Sequence, residues 1–190
     1  MATASSGSSR RAPRKPRPEV SVLRVGHRAG RDPRLTTHAA LAARALGARR
    51  MFLHPPDPAL QERVRELSQR WGGEFEVVGL ADWRSTVRHW DGTVVHLTMY
   101  GLPLDRVAAR IPRDRPILLV IGGAKVPSQL YQWARFNIAV GHEPHSEVAA
   151  LALALDRILG LPGPGARAGA RQWIRPNPRG KTLVERGRRE

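Results

Sequence analysis

The chain of 190 residues has no cysteine. That absence excludes a disulfide framework, a thiolate zinc site and a cysteine nucleophile. Aromatic residues make up only 5%, and only Lys15, Lys125 and Lys181 of the 32 cationic side chains are lysines. No apolar run reaches the roughly 18 residues that cross a bilayer as a helix, so no membrane association is expected. The opening MATASSGSSRRAPRKPRP is basic but lacks an apolar stretch, so it does not read as a secretory signal, and the cytoplasm is the expected compartment. Acidic residues are in deficit, 16 against 32 basic ones, for a net charge of +16.

The charge is unevenly spread. Residues 1–18 hold Arg10, Arg11, Arg14, Lys15 and Arg17 with no acid, and residues 160–190 hold eight cations against Glu185 and Glu190. The body between them carries 19 cations and 14 acids, a small surplus. Phosphate contacts release counterions, so the pattern points to a polyanionic partner, nucleic acid above all. The competing reading is a GC-rich genome that writes arginine wherever a cation will do. Apolar residues at 41% exclude a wholly disordered chain, and the length suits one domain. The expected organisation is a disordered basic tail over 1–19, a domain over 20–160, and a basic extension over 161–190.

Apolar runs and turn residues alternate along that domain. Val20 to Val25 reads as a strand, and a cationic loop follows from His27 to Leu35. Thr36 or Thr37 is placed to cap the helix HAALAARALGA. Met51–Leu53 is a strand stopped by Pro55 and Pro56. Asp57 caps a helix, with Pro58 in its first turn, that runs to Trp71. Phe75–Val78 is a strand, Asp82 caps a short helix to Trp90, and Val94–Leu97 is a strand. Pro116–Ile121 is a continuous apolar run, as in a strand covered on both faces. Pro127 opens a helix, Phe136–Val140 is a strand, and a helix runs from His145 or Ser146 to Leu159. Its stretch Ala149–Leu155 is apolar all round and is expected to be buried on most sides. LPGPGARAG then reads as a linker, and Trp173-Ile174 with Leu183-Val184 as a small hairpin. This alternation predicts an α/β fold with a mostly parallel sheet and helices on both faces.

Such sheets bind ligands at the carboxyl ends of their strands. Three ends stand out: His96-Leu-Thr-Met-Tyr-Gly101, Ile121-Gly-Gly-Ala-Lys-Val-Pro127 and Val140-Gly-His-Glu-Pro-His-Ser-Glu147. Glycines there let backbone approach a ligand closely, and Ser146 stands at a helix N-terminus. His142 and His145, with Glu143 and Glu147, invite a metal reading, but Pro144 splits the set and no metal is expected. No serine elbow is present, and neither Asp32 nor Glu147 has an obvious carboxylate partner. The loop GHRAGRDPRLTTH carries Arg28, Arg31 and Arg34 at three-residue spacing, and guanidinium forks suit phosphate oxygens.

The segments LRVGHRAGRDPRLTTHAALAARALGA (23–48), VVHLTMYG (94–101) and LVIGGAKVPSQLYQWARFNIAVGHEPHSEVAALALALDRI (119–158) closely resemble the archaeal tRNA (cytidine(56)-2'-O)-methyltransferases of the SPOUT class. The resemblance covers nearly all of residues 20–160. It implies a C-terminal deep trefoil knot, a homodimer, S-adenosylmethionine as methyl donor, and methyl transfer to a ribose 2'-hydroxyl of tRNA. It further implies cofactor contacts at Leu97, at Gly122, Gly123, Ala124, Lys125 and Val126, and at Val140, Gly141, His142, Glu143, Pro144, His145, Ser146 and Glu147. An arginine of the first motif is expected to be catalytic: Arg34, then Arg31 and Arg28. The chain departs from the family pattern at Ala124, where glutamate is usual, at His142-Glu143, where Asn-Gln is usual, and at Arg135, where an acid is usual. These departures leave two alternatives, a SPOUT protein acting on another RNA and a non-enzymatic RNA-binding protein.

Overall fold

The structure is a computed structural model and describes residues 17–31, 33–123 and 126–187. Most of the basic tail, together with Asp32, Ala124 and Lys125, lies outside the described residues. The elements in order are β1 (Val20–Val25), α1 (Pro33–Ala45), β2 (Arg50–His54), α2 (Pro58–Trp71), β3 (Glu76–Gly79), α3 (Trp83–Arg88) and β4 (Thr93–Pro103). A short helix α4 (Leu104–Val107) and a 3-10 turn follow, then β5 (Ile117–Gly122), α5 (Gln129–Trp133), β6 (Phe136–Ala139), α6 (Glu147–Leu159), β7 (Gln172–Arg175) and β8 (Thr182–Glu185).

Strands β1 to β6 form one parallel sheet in the order β3-β2-β1-β5-β4-β6. β1 and β5 lie at its centre and are buried almost throughout; β5 accordingly reads as an unbroken apolar run, whereas β1 is interrupted by Ser21 and Arg24. One face packs under α1, α2, α4 and α6 through Ala39, Ala43, Leu60, Leu104, Leu151 and Leu155. The other is covered by the short helices α3 and α5 through Trp83, Val87 and Leu130. The alternation of strands and helices thus yields the doubly covered sheet it predicts.

Local details differ from the sequence reading. α1 begins at Pro33, so Thr36 and Thr37 lie inside the helix rather than capping it. Proline at the first helical position starts the helix earlier, since its missing N–H has no intrahelical partner to lose. Asp57 and Asp82 do cap, accepting the N–H groups of Leu60 and Arg84 at 3.0 and 2.9 Å. β4 runs on past Leu97 to Pro103 through a bulge between Leu97 and Leu102. On α6, Leu153 is 52% exposed, so the all-apolar stretch leaves one side open.

Residues 161–170 are a clasp rather than a loose linker. The Arg167 guanidinium donates to the last carbonyls of α1, Arg44 O at 2.8 Å and Ala45 O at 2.9 Å, where a cation also suits the helix dipole. Gly73 N–H donates to Ala168 O at 2.8 Å, and Ala170 is fully buried. Gly72 ends α2 at φ +71°, and a Cβ there would stand 2.5 Å from Ala170 N. Replacing Gly72 by alanine combines left-handed strain with a backbone clash. It should cost about 1–3 kcal/mol of unfolding free energy, read as a lower urea midpoint. An unchanged midpoint would contradict the clasp.

Candidate active site

The three glycine-bearing strand ends belong to β5, β4 and β6, which are neighbours in the sheet, so they converge on one edge. At Gly101 a Cβ would lie 2.5 Å from Ile138 N, so the extended end of β4 and the start of β6 touch backbone to backbone. At Gly122 a Cβ would meet Val126 Cγ2 at 2.7 Å, whereas at Gly123 it would meet nothing within 4 Å among the described residues. His142 Nε2 is 3.1 Å from Gly101 O and fastens the third loop to the first. Glu143, Pro144 and His145 are exposed. Ser146 caps α6, its Oγ accepting Ala149 N–H at 3.4 Å. Leu97 and Val140 pack into the core on one face of the sheet and Val126 into the core on the other. A cleft of about 320 Å³ adjoins the third loop, lined in part by Pro103, Val140, His142, Leu153 and Arg157. A larger groove of about 530 Å³ runs along α2 and the edge strand β3 instead.

The arginine loop is pinned at its base by a chain of buried polar contacts. His27 follows β1 and Thr36 lies in α1. Both are buried, and His27 Nδ1 is 2.8 Å from Thr36 Oγ1. Thr36 Oγ1 also accepts Arg24 Nε–H at 2.8 Å, and Arg24 Nη1 pairs with the Glu147 carboxylate. On the other side, His27 Nε2 is 3.1 Å from Asp57 Oδ2. The Thr36 hydroxyl accepts from Arg24, so it can give its proton to Nδ1. The chain is then satisfied with His27 carrying its proton on Nε2, toward Asp57. Burial raises the Asp57 carboxyl, but the Leu60 N–H, the His27 hydrogen bond and the charge of Arg63 outweigh it and hold it below the usual carboxylate range.

Between these anchors Arg28, Arg31 and Arg34 are all exposed. Arg31 N–H donates to Arg28 O at 3.0 Å, and Arg34 falls in the first turn of α1. Glu147, for which the sequence offers no obvious carboxylate partner, pairs with Arg24. The sequence reading passed over Arg24. The available signal was an arginine inside an apolar strand, because a buried charge requires a counter-charge. Among the described residues, no three of His, Asp and Glu converge as a metal centre would require.

His96 is a second polar group that the sequence reading missed. It is fully buried in β4, with Nδ1 2.9 Å from Asn137 Oδ1. That oxygen only accepts, so Nδ1 carries the proton and Nε2 is left without a partner. The ring meets Tyr131 edge-on, with centroids 4.7 Å apart, and the Tyr131 hydroxyl lies 3.1 Å from Thr98 Oγ1. The cluster thereby braces the first loop. Burial lowers the His96 pKa below its ordinary 6.5, partly compensated by the hydrogen bond that Nδ1 donates to Asn137 Oδ1. A depressed histidine takes up its proton more readily unfolded than folded, so stability should fall as pH drops below about 6.5. Urea midpoints at pH 7 and 5 should show that loss in the wild type and a shallower one in His96→Phe. Equal slopes would contradict the assignment.

Comparison with known proteins accords with this geometry. Residues 71–184 match the family described as "tRNA ribose 2'-O-methyltransferase, aTrm56". A protein of Ignicoccus hospitalis named tRNA (cytidine(56)-2'-O)-methyltransferase is 45% identical over 175 residues, 89% of this chain and 78% of its own length. The protein of that name from Archaeoglobus fulgidus is 45% identical over 87% of this chain and 98% of its own. Among solved structures, an AdoMet-bound rRNA methyltransferase from Sinorhizobium meliloti superposes with a TM-score of 0.54 at 21% identity. That match covers 77% of this chain and 57% of the other, a likeness of fold. With more than half its length matched and close to half its residues shared, the chain belongs to the aTrm56 family of tRNA ribose 2'-O-methyltransferases.

Proposed function

We propose that the protein methylates the ribose 2'-hydroxyl of cytidine 56 in the T loop of tRNA, with S-adenosylmethionine as donor, in the cytoplasm. One observation carries this reading. The Arg24 guanidinium holds Thr36 of α1 and Glu147 of α6 at once, so the arginine turn and the third strand-end loop share one anchor.

The strand ends fit the donor. Gly122, Gly123 and Gly141 bring backbone close to a ligand, and the α6 N-terminus presents N–H groups without intrahelical partners. Leu97, Val126 and Val140 offer apolar wall for an adenine. We assign the donor's contacts to Leu97, residues 122–126 and residues 140–147. Bound there, S-adenosylmethionine supplies a methyl group already made electrophilic by its sulfonium, a chemistry that calls for no metal. What remains for the chain is to place a 2'-oxygen in line with that methyl and to stabilise the charge the oxygen develops. Arginine, with a pKa of about 12.5 or above, is a poor base. Arg34 stabilises the developing alkoxide, and Arg31 and Arg28 hold the neighbouring phosphate.

Two further features belong to this reading. β5 inserts between β1 and β4, β6 lies beyond β4, and α6 then returns to pack on α1 and β5. Together with the backbone contact at Gly101, this path supports a chain threaded through itself as a deep trefoil knot. The exposed Leu153, Tyr100 and Leu102 support a second copy packing over α6 and the first loop as a homodimer.

Arg34→Ala should lower methylation of unmodified tRNA about 100-fold or more while titration with S-adenosylmethionine is unchanged. Wild-type turnover would reject the assignment. In the wild type, absence of donor binding would favour a non-enzymatic RNA-binding protein, and a mark mapped to another nucleotide would favour another RNA.

A further inference from the structure

At the end of the molecule opposite the candidate active site, the chain builds an ordered cationic ribbon. In a parallel α/β sheet each helix runs back against its strands, so α1 and α2 finish at the amino-terminal edge of the sheet. Arg167 caps α1 there, and Ala168 and Ala170 close on Gly72 at the end of α2. The antiparallel β7–β8 ribbon springs from that clasp, with Trp173 opposite Val184 and Ile174 opposite Leu183. It stands one strand length, about 20 Å at ~3.3 Å per residue, from the glycine loops.

Residues 171–186 hold Arg171, Arg175, Arg179, Lys181 and Arg186 against Glu185 alone. The tip is pre-formed: Asn177 Oδ1 accepts Arg179 N–H at 2.9 Å, and its Nδ2 donates to Thr182 Oγ1 at 3.0 Å. Beside this charge, Ile174 and Leu183 are paired across the strands and are 61% and 51% exposed. An isolated two-stranded ribbon is marginal in water. Here the clasp orders one whose outward face is left uncovered by the described residues.

We infer that the ribbon is a second RNA-binding surface that grips the sugar-phosphate backbone of tRNA away from the nucleotide being methylated, with Arg179 and Lys181 at its tip. The inference rests on the tRNA reading above. Charge selects the occupant: a second copy would bring the same positive ribbon and be repelled, whereas a polyanion gains from counterion release. A pre-formed tip also lowers the ordering cost of binding.

The test is the full chain carrying Arg179→Ala and Lys181→Ala, with both residues exposed so that folding is left intact. For unmodified tRNA, the dissociation constant should rise about fivefold or more. The slope of log affinity against log salt should fall by about one to two, as each lost phosphate contact removes nearly one. Affinity for S-adenosylmethionine and kcat at saturating tRNA should not change. Unaltered tRNA affinity and salt slope, in a wild type that binds and methylates tRNA, would overturn the ribbon's role alone. A wild type that binds no tRNA would overturn the functional reading with it. Conversion of a dimer to monomer by Ile174→Ser with Leu183→Ser would reassign the ribbon to contact between copies and likewise overturn the inference.

Discussion

A guanidinium inside a strand that is buried along its whole length needs a counter-charge, and the chain brings Glu147 from 123 residues away to provide it. Arg24 is 1% exposed and its partner 16%. Such a pair adds little net stability, since desolvation of both charges offsets their attraction, but removal of one partner is severe. Its consequence is registry. Glu147 is the first residue of α6, so the pair fixes where that helix starts relative to the central strand. Arg24 also donates to Thr36, so the same guanidinium sets the first turns of α1. The His27–Asp57 contact carries the constraint on to the cap of α2. Three helices thus take their positions from one buried chain of polar contacts.

The chemistry proposed for the site asks little of acid–base groups. Methyl transfer from a sulfonium asks for alignment, exclusion of water and stabilisation of a developing oxyanion. In the proposed mechanism the glycine loops and the arginine turn are to supply these. The first and third loops are braced because the backbone at Gly101 leaves no room beside Ile138, because His142 ties the third loop to the first, and because the His96–Asn137–Tyr131 cluster supports Thr98. The cations are exposed while their anchors are buried, so Arg28, Arg31 and Arg34 can meet a phosphate without unsettling the fold.

Much of this was legible in the sequence because it rests on local rules. The apolar run 116–121 and the caps at Asp57 and Asp82 declared the strand and helices they belong to, and the glycine loops marked the strand ends. Other features depend on residues far apart in the chain. Thr36 looked like a cap because nothing local shows that Arg24 and His27 need its hydroxyl. LPGPGARAG looked like a linker because its composition hides that Arg167 caps α1 and that Gly72 admits Ala170. Leu153 looked buried because an apolar helix face says nothing about whether its cover comes from the same chain. His96 was concealed inside a strand pattern that its neighbours satisfy.

The Arg24–Glu147 pair is proposed to act as one unit that shapes the donor site. A double-mutant cycle over Arg24→Leu and Glu147→Leu, read as S-adenosylmethionine affinity on folded protein, tests that claim directly. Each single variant should weaken binding about tenfold, and the double variant scarcely further, because either loss breaks the same contact. Additive losses, or single variants that bind as the wild type does, would contradict it.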